Sequence, residues 1–259
     1  ANEGADIIVA LSFSAVDPVA EVAAVSPDTQ FLLVDACLQG ERPKNVHCAV
    51  FREHEASFLM GAMAAMQTKT GKLGVVSAID IPFLHRFTDG FADGARFVSP
   101  DVSVAVRWVG GQNPFSDPVR AKEQALALKA AGADVIYAAA AGGNFGIYEA
   151  APKAGFNIMG VDANHCDLSG GTMFDSALKR VDEAIMQSVD AIMEGANQTF
   201  TSYGLAENGV GGVVLYSDSN LAASGCLIAD FPDDIAKLRD ISKKIISGDI
   251  KVKDPLFAK

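Results

Sequence analysis

Few ionisable or nucleophilic side chains in this sequence fall into patterns that chemistry could use. Asp89 and Asp93 stand four residues apart, where a carboxylate pair can do acid–base work; the simpler reading is an exposed helix face. The histidines His47, His54, His85 and His165 show no i, i+4 pair and no metal-ligand spacing, so they read as surface or satisfied core residues. The charged block FREHE reads as the solvated first turn of a helix. No G-x-G-x-x-G turn, P-loop or G-x-S-x-G elbow occurs, and the nearest string, AGGNFGIYEA, has the wrong spacing. Catalysis is therefore unsupported. What remains is a set of polar, glycine and aromatic residues placed just after short apolar runs, at 12–14, 35, 77–80, 110–113, 142–145 and 162–164. That arrangement suits recognition of a small molecule without a reaction.

The elements that must position these residues alternate along the chain. ADIIVALSF, TQFLLVDA, KLGVVSAI, SVAVRWVGG, DVIYAAAAGG and FNIMGVDA read as buried strands, apolar and partly β-branched. Between them lie amphipathic segments with helix signals. VDPVAEVAAVSP opens with Asp17 as N-cap and Pro18 at the first helical position. Asp117 before Pro118 reads as the cap of the next such helix. EASFLMGAMAAMQTKTG stops at Gly71, SALKRVDEAIMQSVDAIMEG reads as one long helix, and DDIAKLRDISKKIISGDI is the last. Strand–helix alternation predicts an α/β protein built of parallel βαβ units with helices on both sheet faces. Ligands of such open sheets sit beyond the carboxyl ends of the strands.

Composition narrows the class of ligand. A chain of 259 residues with 49% hydrophobic and 20% charged residues can build a sizeable core or two lobes. A net charge of −11 argues against nucleic acid, which needs a cationic face to displace counterions, and against an anionic membrane surface. No run reaches the ~18 apolar residues of a membrane span. The cysteines Cys37, Cys48, Cys166 and Cys226 form no C-x-x-C pair. GERPKN reads as a turn that could bring Cys37 to Cys48; four buried free thiols fit equally well, and the Cys166–Cys226 pairing is likewise open.

The strings FLLVDA, ASFLMGAMAAMQTKTGKLGVV, FTDGFADGAR, AKEQALALKAAGADVIYAAAAGGNFGIYEAA, MGVDAN, DSALKRVDEAI and GLAENGVGG stand in this order and spacing. Together they resemble the basic membrane protein family, the purine-nucleoside-receptor-like lipoproteins that serve as substrate-binding components of ABC transporters. The resemblance runs from about residue 1 to about residue 250. It implies a type I periplasmic-binding-protein fold: two lobes with parallel sheets flanked by helices, closing on a ligand between them. The family's chains begin with another βαβ unit, so an amino-terminal unit of roughly 60–100 residues is expected to be missing here. The expected lobes are 1–50 plus 177–212 and 55–171, with 213–259 packing across both and crossings near 48–54, 172–176 and 200–212.

By this resemblance Asp35, closing FLLVD, and Asp162, in GVDAN, would accept hydrogen bonds from ribose hydroxyls. Lys179 in DSALKR would reach the ribose between them and relieve carboxylate repulsion, with Ser176 one helical turn earlier as a contact or a helix cap. Phe145 would be one of two aromatics stacking the purine, the other belonging to the missing region. Gly143 would let a ligand approach the backbone closely. Phe13 follows the first strand and is a further candidate, as are Trp108, otherwise read as strand core, and Asn113 in the following loop. The implied protein binds a purine nucleoside or related base, needs no cofactor or metal, and is a monomer. It would hand its ligand to a permease at the outer face of a bacterial plasma membrane, touching the membrane only through a lipid anchor on the full-length chain. The alternatives are a ligand-sensing regulator on the same fold, or a nucleoside-processing enzyme, which would release product from inosine or adenosine.

Overall fold

The computed structural model describes residues 1, 3–196, 200–216 and 221–257. The chain runs β1 (Ile7–Leu11), α1 (Val16–Val25), β2 (Gln30–Val34), β3 (Val46–Phe51), α2 (Glu53–Gln67), β4 (Lys72–Ser77) and α3 (His85–Val98). It continues through β5 (Ser103–Trp108), α4 (Pro118–Ala130), β6 (Val135–Ala139), α5 (Asn144–Ala154), β7 (Asn157–Asp162) and β8 (Met173–Lys179). It ends with α6 (Val181–Met193), β9 (Phe200–Tyr203), β10 (Val210–Gly212), α7 (Val213–Tyr216) and α8 (Pro232–Ser247). These elements form two compact units, residues 1–52 with 180–209, and 53–179 with 210–259. The carboxy-terminal residues, expected to pack across both lobes, group with the second unit, where α8 lies on α2.

The first unit is a sheet in the order β1-β2-β3-β9, every pair parallel. Its core joins Val19 and Ala23 of α1 to Phe31 and Leu33 of β2 and to Val46 and Cys48 of β3. The helix α1 starts one residue before the expected cap: a 3-10 turn, Phe13–Ala15, runs straight into it, and Asp17 and Pro18 fall in its first turn. Proline is tolerated there because first-turn N–H groups have no partner within the helix.

The second unit is a sheet in the order β10-β8-β7-β6-β4-β5, parallel except for β10, which runs against β8. The helices α2 and α3 pack together at glycines. A Cβ on Gly61 would strike the Phe91 carbonyl, and one on Gly94 the Phe58 carbonyl, so bare backbone permits this approach. Being wedged in this way, α2 is buried on almost every side from Glu53 to Ala64. On α4, Asp117 caps as read, accepting from the Arg120 N–H at 3.0 Å with Pro118 next.

Three expectations are corrected. The segment MFDSALK is the strand β8, not the start of a long helix, and α6 begins only at Val181. Ala, Leu and Lys favour helix locally, but pairing with β7 on one side and β10 on the other overrides that preference. Ser176 is therefore a buried strand residue rather than a helix cap, and Lys179 ends a strand. The FREHE turn is not solvated, because Glu53 and His54 are buried within the second unit. Trp108 is not strand core: it ends the edge strand β5, half-exposed, with its ring 5.8 Å from that of His85.

Candidate functional site

Non-glycine residues with left-handed backbone recur at the carboxyl ends of parallel strands. Ser12 (φ 79°) follows β1, Asp35 (φ 64°) follows β2, Ala141 (φ 50°) lies two residues past β6, and Asp162 (φ 72°) closes β7. Such a conformation costs about 1–3 kcal/mol per residue and persists where the surroundings impose it, often at ligand sites. Here the sheet imposes it. The Ser12 N–H donates to the Val34 carbonyl at 3.0 Å and the Asp35 N–H to the Ala49 carbonyl at 2.8 Å, so ladder bonding continues to the last residue before the chain must turn.

In the first unit Asp35 is half-buried and Phe13 is 73% exposed, each following one of two adjacent strands. In the second unit two groups form. Around the end of β7, Ser176 donates to the Ala163 carbonyl at 2.6 Å and so fixes the turn that carries Asp162. Burial, with the Asp162 charge nearby, pushes the Tyr148 hydroxyl far up. Tyr148 meets His165 Nδ1 at 3.3 Å, and Phe145, 53% exposed, sets its ring 5.9 Å from Tyr148 and 6.0 Å from His165. Asp162 lies near enough to this group for its charge to act on the Tyr148 hydroxyl. Gly143 is buried, and a Cβ there would lie 3.2 Å from the Ala121 Cβ and 3.4 Å from the Ala140 Cβ. Asn113 lies exposed in the loop after β5, its carbonyl accepting from the Ser116 N–H.

The second group surrounds Lys179 at the end of β8. Its Nζ lies 3.4 Å from Glu53 Oε1 and 5.8 and 6.0 Å from the ring centres of Phe83 and Phe87. Only 12% of its side chain is exposed. Glu53 Oε2 accepts from Arg86 Nη1 at 3.1 Å, and Arg86 grips Asp254 with two parallel bonds of 2.9 and 2.6 Å. None of Glu53, Arg86 and Asp254 stood out in the sequence. A signal for Arg86 existed: it shares a helix line with Gly90 and Gly94, the close-packing glycines, so its face had to be buried. Among the described residues no group of three His, Cys, Asp or Glu is placed to hold a metal ion.

The arrangement of two α/β units with polar residues at strand ends has close parallels. The family model described as ABC transporter substrate-binding protein PnrA-like (Bmp) matches residues 1–255. The chain belongs to the Bmp family. A Bmp-family relative from Lactococcus lactis subsp. cremoris, named ABC transporter nucleoside-binding protein BmpA, is 27% identical over 228 residues, covering 81% of this chain and 64% of that protein. A protein of Listeria monocytogenes named CD4+ T-cell-stimulating antigen is 28% identical over 95% of this chain and 70% of its own length. A crystal structure of an ABC transporter solute-binding protein from Aeropyrum pernix superposes with a TM-score of 0.77 at 27% identity, covering 96% of this chain and 77% of that one. The chain thus spans between about three fifths and four fifths of these Bmp-like proteins. The family is described as substrate-binding and the Aeropyrum protein as solute-binding, and the fold is the type I periplasmic-binding architecture expected from the sequence.

Proposed function

We propose that this Bmp-family chain recognises a purine nucleoside, without altering it, for delivery to an ABC-transporter permease. The observation that carries the reading is the pair of aspartates, Asp35 and Asp162, each held in left-handed backbone at the end of a parallel strand. A carboxylate at such a strand end can accept hydrogen bonds from a diol, and backbone held in place lowers the cost of ordering it. Lys179 supplies a positive charge on the same end of the second sheet, and Phe145 an exposed ring beside Tyr148 and His165. Stacking a base on such a ring contributes about 1–3 kcal/mol. The printed name of the Lactococcus relative, a nucleoside-binding protein, points to the same ligand class. Phe13, Trp108, Asn113 and the backbone near Gly143 are the remaining proposed contacts, with Ser176 acting on the Asp162 turn. Location outside the cytoplasm, with a lipid anchor on the full-length protein, agrees with the two disulfides of the structure, Cys37–Cys48 and Cys166–Cys226, since disulfides persist in oxidising compartments.

Thermal melts with adenosine, guanosine, inosine, cytidine, adenine and ribose test the reading. A ligand at 1,000 times its Kd stabilises by about 4 kcal/mol. Purine nucleosides should raise the Tm while ribose and cytidine do not. Asp162→Ala and Lys179→Ala should each weaken binding by about 1.5–3 kcal/mol, the worth of a hydrogen bond to a charged group. A Tm shift with another solute alone would move the substrate, and conversion of inosine to products would replace recognition by catalysis.

A further inference from the structure

The amino end of α2, the first turn of α3 and the segment beyond α8 converge on one line of alternating charge. In order it runs Asp254, Arg86, Glu53 and Lys179, with links of 2.6 and 2.9 Å, 3.1 Å and 3.4 Å. Every member belongs to the second unit, and Glu53 is only 3% exposed. We propose that Asp254 is a positioning residue: acting through Arg86 and Glu53, it fixes where the Lys179 ammonium stands. The inference rests on the reading of Lys179 as a ligand contact, and names what sets that contact.

The reasoning is electrostatic and geometric. Lys179 has a long, flexible stem, and its ammonium is a point charge that any carboxylate can attract. One restraint on its position is Glu53 Oε1, with Phe83 and Phe87 beside it offering ring faces to the cation. Glu53 is itself shared, one oxygen toward Lys179 and the other toward Arg86. Arg86 divides its fork in the same way, with Nε and Nη2 on Asp254 and Nη1 on Glu53. Along this line two acids alternate with two bases. Without the Asp254 charge, a buried guanidinium is left with Glu53 as its remaining acid in this line, and a close ion pair between them draws the carboxylate away from Lys179. The Asp254 carboxyl is well placed to stay ionised: burial works to raise it, but the Arg86 hydrogen bonds and charge outweigh that and hold it below the usual carboxylate range. His54 Nδ1 also faces Asp254, at 3.8 Å, and the Leu256 N–H donates to it at 3.1 Å.

Competitive acetylation with acetic anhydride, read by peptide mass spectrometry, reports each lysine without any ligand. Lys237 and Lys244, both on the exposed side of α8, serve as references. In Asp254→Asn the labelling of Lys179 should rise several-fold while the references keep their rates; Asp254→Glu, which keeps the charge, should restore protection. Unchanged Lys179 labelling in Asp254→Asn with intact references overturns the proposal. If Asp254→Asn labels all lysines alike, the fold has failed, and Arg86→Lys, which keeps charge but loses the fork, takes its place with the same two outcomes. Inosine affinity is measured alongside. Raised labelling with unchanged inosine affinity would keep the positioning role and remove Lys179 from the ligand site, so the two readings fail separately.

Discussion

Asp175 shows how one side chain can set the pH response of the second unit. It is fully buried on β8, and its Oδ1 accepts from the N–H groups of Ser176 and Val213 at 2.8 and 3.0 Å. Burial pushes its carboxyl up to about 7, more than the backbone hydrogen bonds from Ser176, Val214 and Val213 can offset. In the unfolded chain the same group titrates near about 3.9. Between these values the folded protein holds a proton that the unfolded chain has lost, so stability falls as pH rises from about 4 to 7 and levels off above. Asp175→Asn removes the charge while keeping the acceptor. It should flatten that slope and raise stability at pH 8 by a few kcal/mol, at about 1.4 kcal/mol per pKa unit. Denaturant titrations at pH 4, 6 and 8 would decide it; equal slopes in both proteins would show that Asp175 is charged throughout. No sequence signal singles this residue out. An Asp in DSALK looks like an exposed polar residue until β8 is known to lie between two strands. The strand-end positions of Asp35 and Asp162, and the place of Phe145 in the turn after β6, were legible because each follows an apolar run whose end can be read directly; their proposed roles came from the family resemblance.

At the scale of elements, the crossing of α2 and α3 constrains the second unit most tightly. Gly94→Ala would drive a methyl into the Phe58 carbonyl, and Gly61→Ala into that of Phe91. Both obstacles are backbone, so the helices must separate, and overpacking of this kind costs about 1–3 kcal/mol and sometimes more. Each substitution should lower the Tm of the second unit and disturb the first turns of both helices, where Glu53 and Arg86 lie. A Gly94→Ala protein that melts at the wild-type temperature would show that the helices separate freely. The alternation of strand and helix was readable from sequence because each apolar run and each capped helix is a local signal. The strands β3, β8, β9 and β10 were not legible as strands. VHCAVF, at 6 residues as long as strands that were legible, lacks their clear boundaries, and β9 and β10 are 4 and 3 residues long. Their pairing depends on residues far away in the chain: β9 pairs with β3 across some 150 positions.

For the whole molecule, the two disulfides divide between the two units. Cys37–Cys48 closes 11 residues in the first, and Cys166–Cys226 closes 60 in the second. By the chain-entropy estimate, opening them would cost roughly 3 and 4 kcal/mol respectively. Cys37 is half-buried whereas Cys166, Cys226 and Cys48 are buried, so a mild reductant should reach the Cys37 end first. The larger loop matters more for recognition. Its bridge ties the segment after β7 to the residues before Leu227, and Asn164 Nδ2 adds a bond of 3.0 Å to the Ser224 carbonyl. That segment begins directly after Asp162, so the proposed ligand aspartate loses one of its restraints when the bridge opens, keeping the Ser176 bond to Ala163 and its pairing with β8. A Cys166→Ser, Cys226→Ser double variant should therefore melt lower and bind inosine more weakly. By hydrogen exchange it should lose amide protection in 53–179 and 210–257, while residues 3–52 keep theirs, because each bridge lies within one unit. Equal loss of protection in both units would mean that they unfold as one, so that opening either bridge destabilises both.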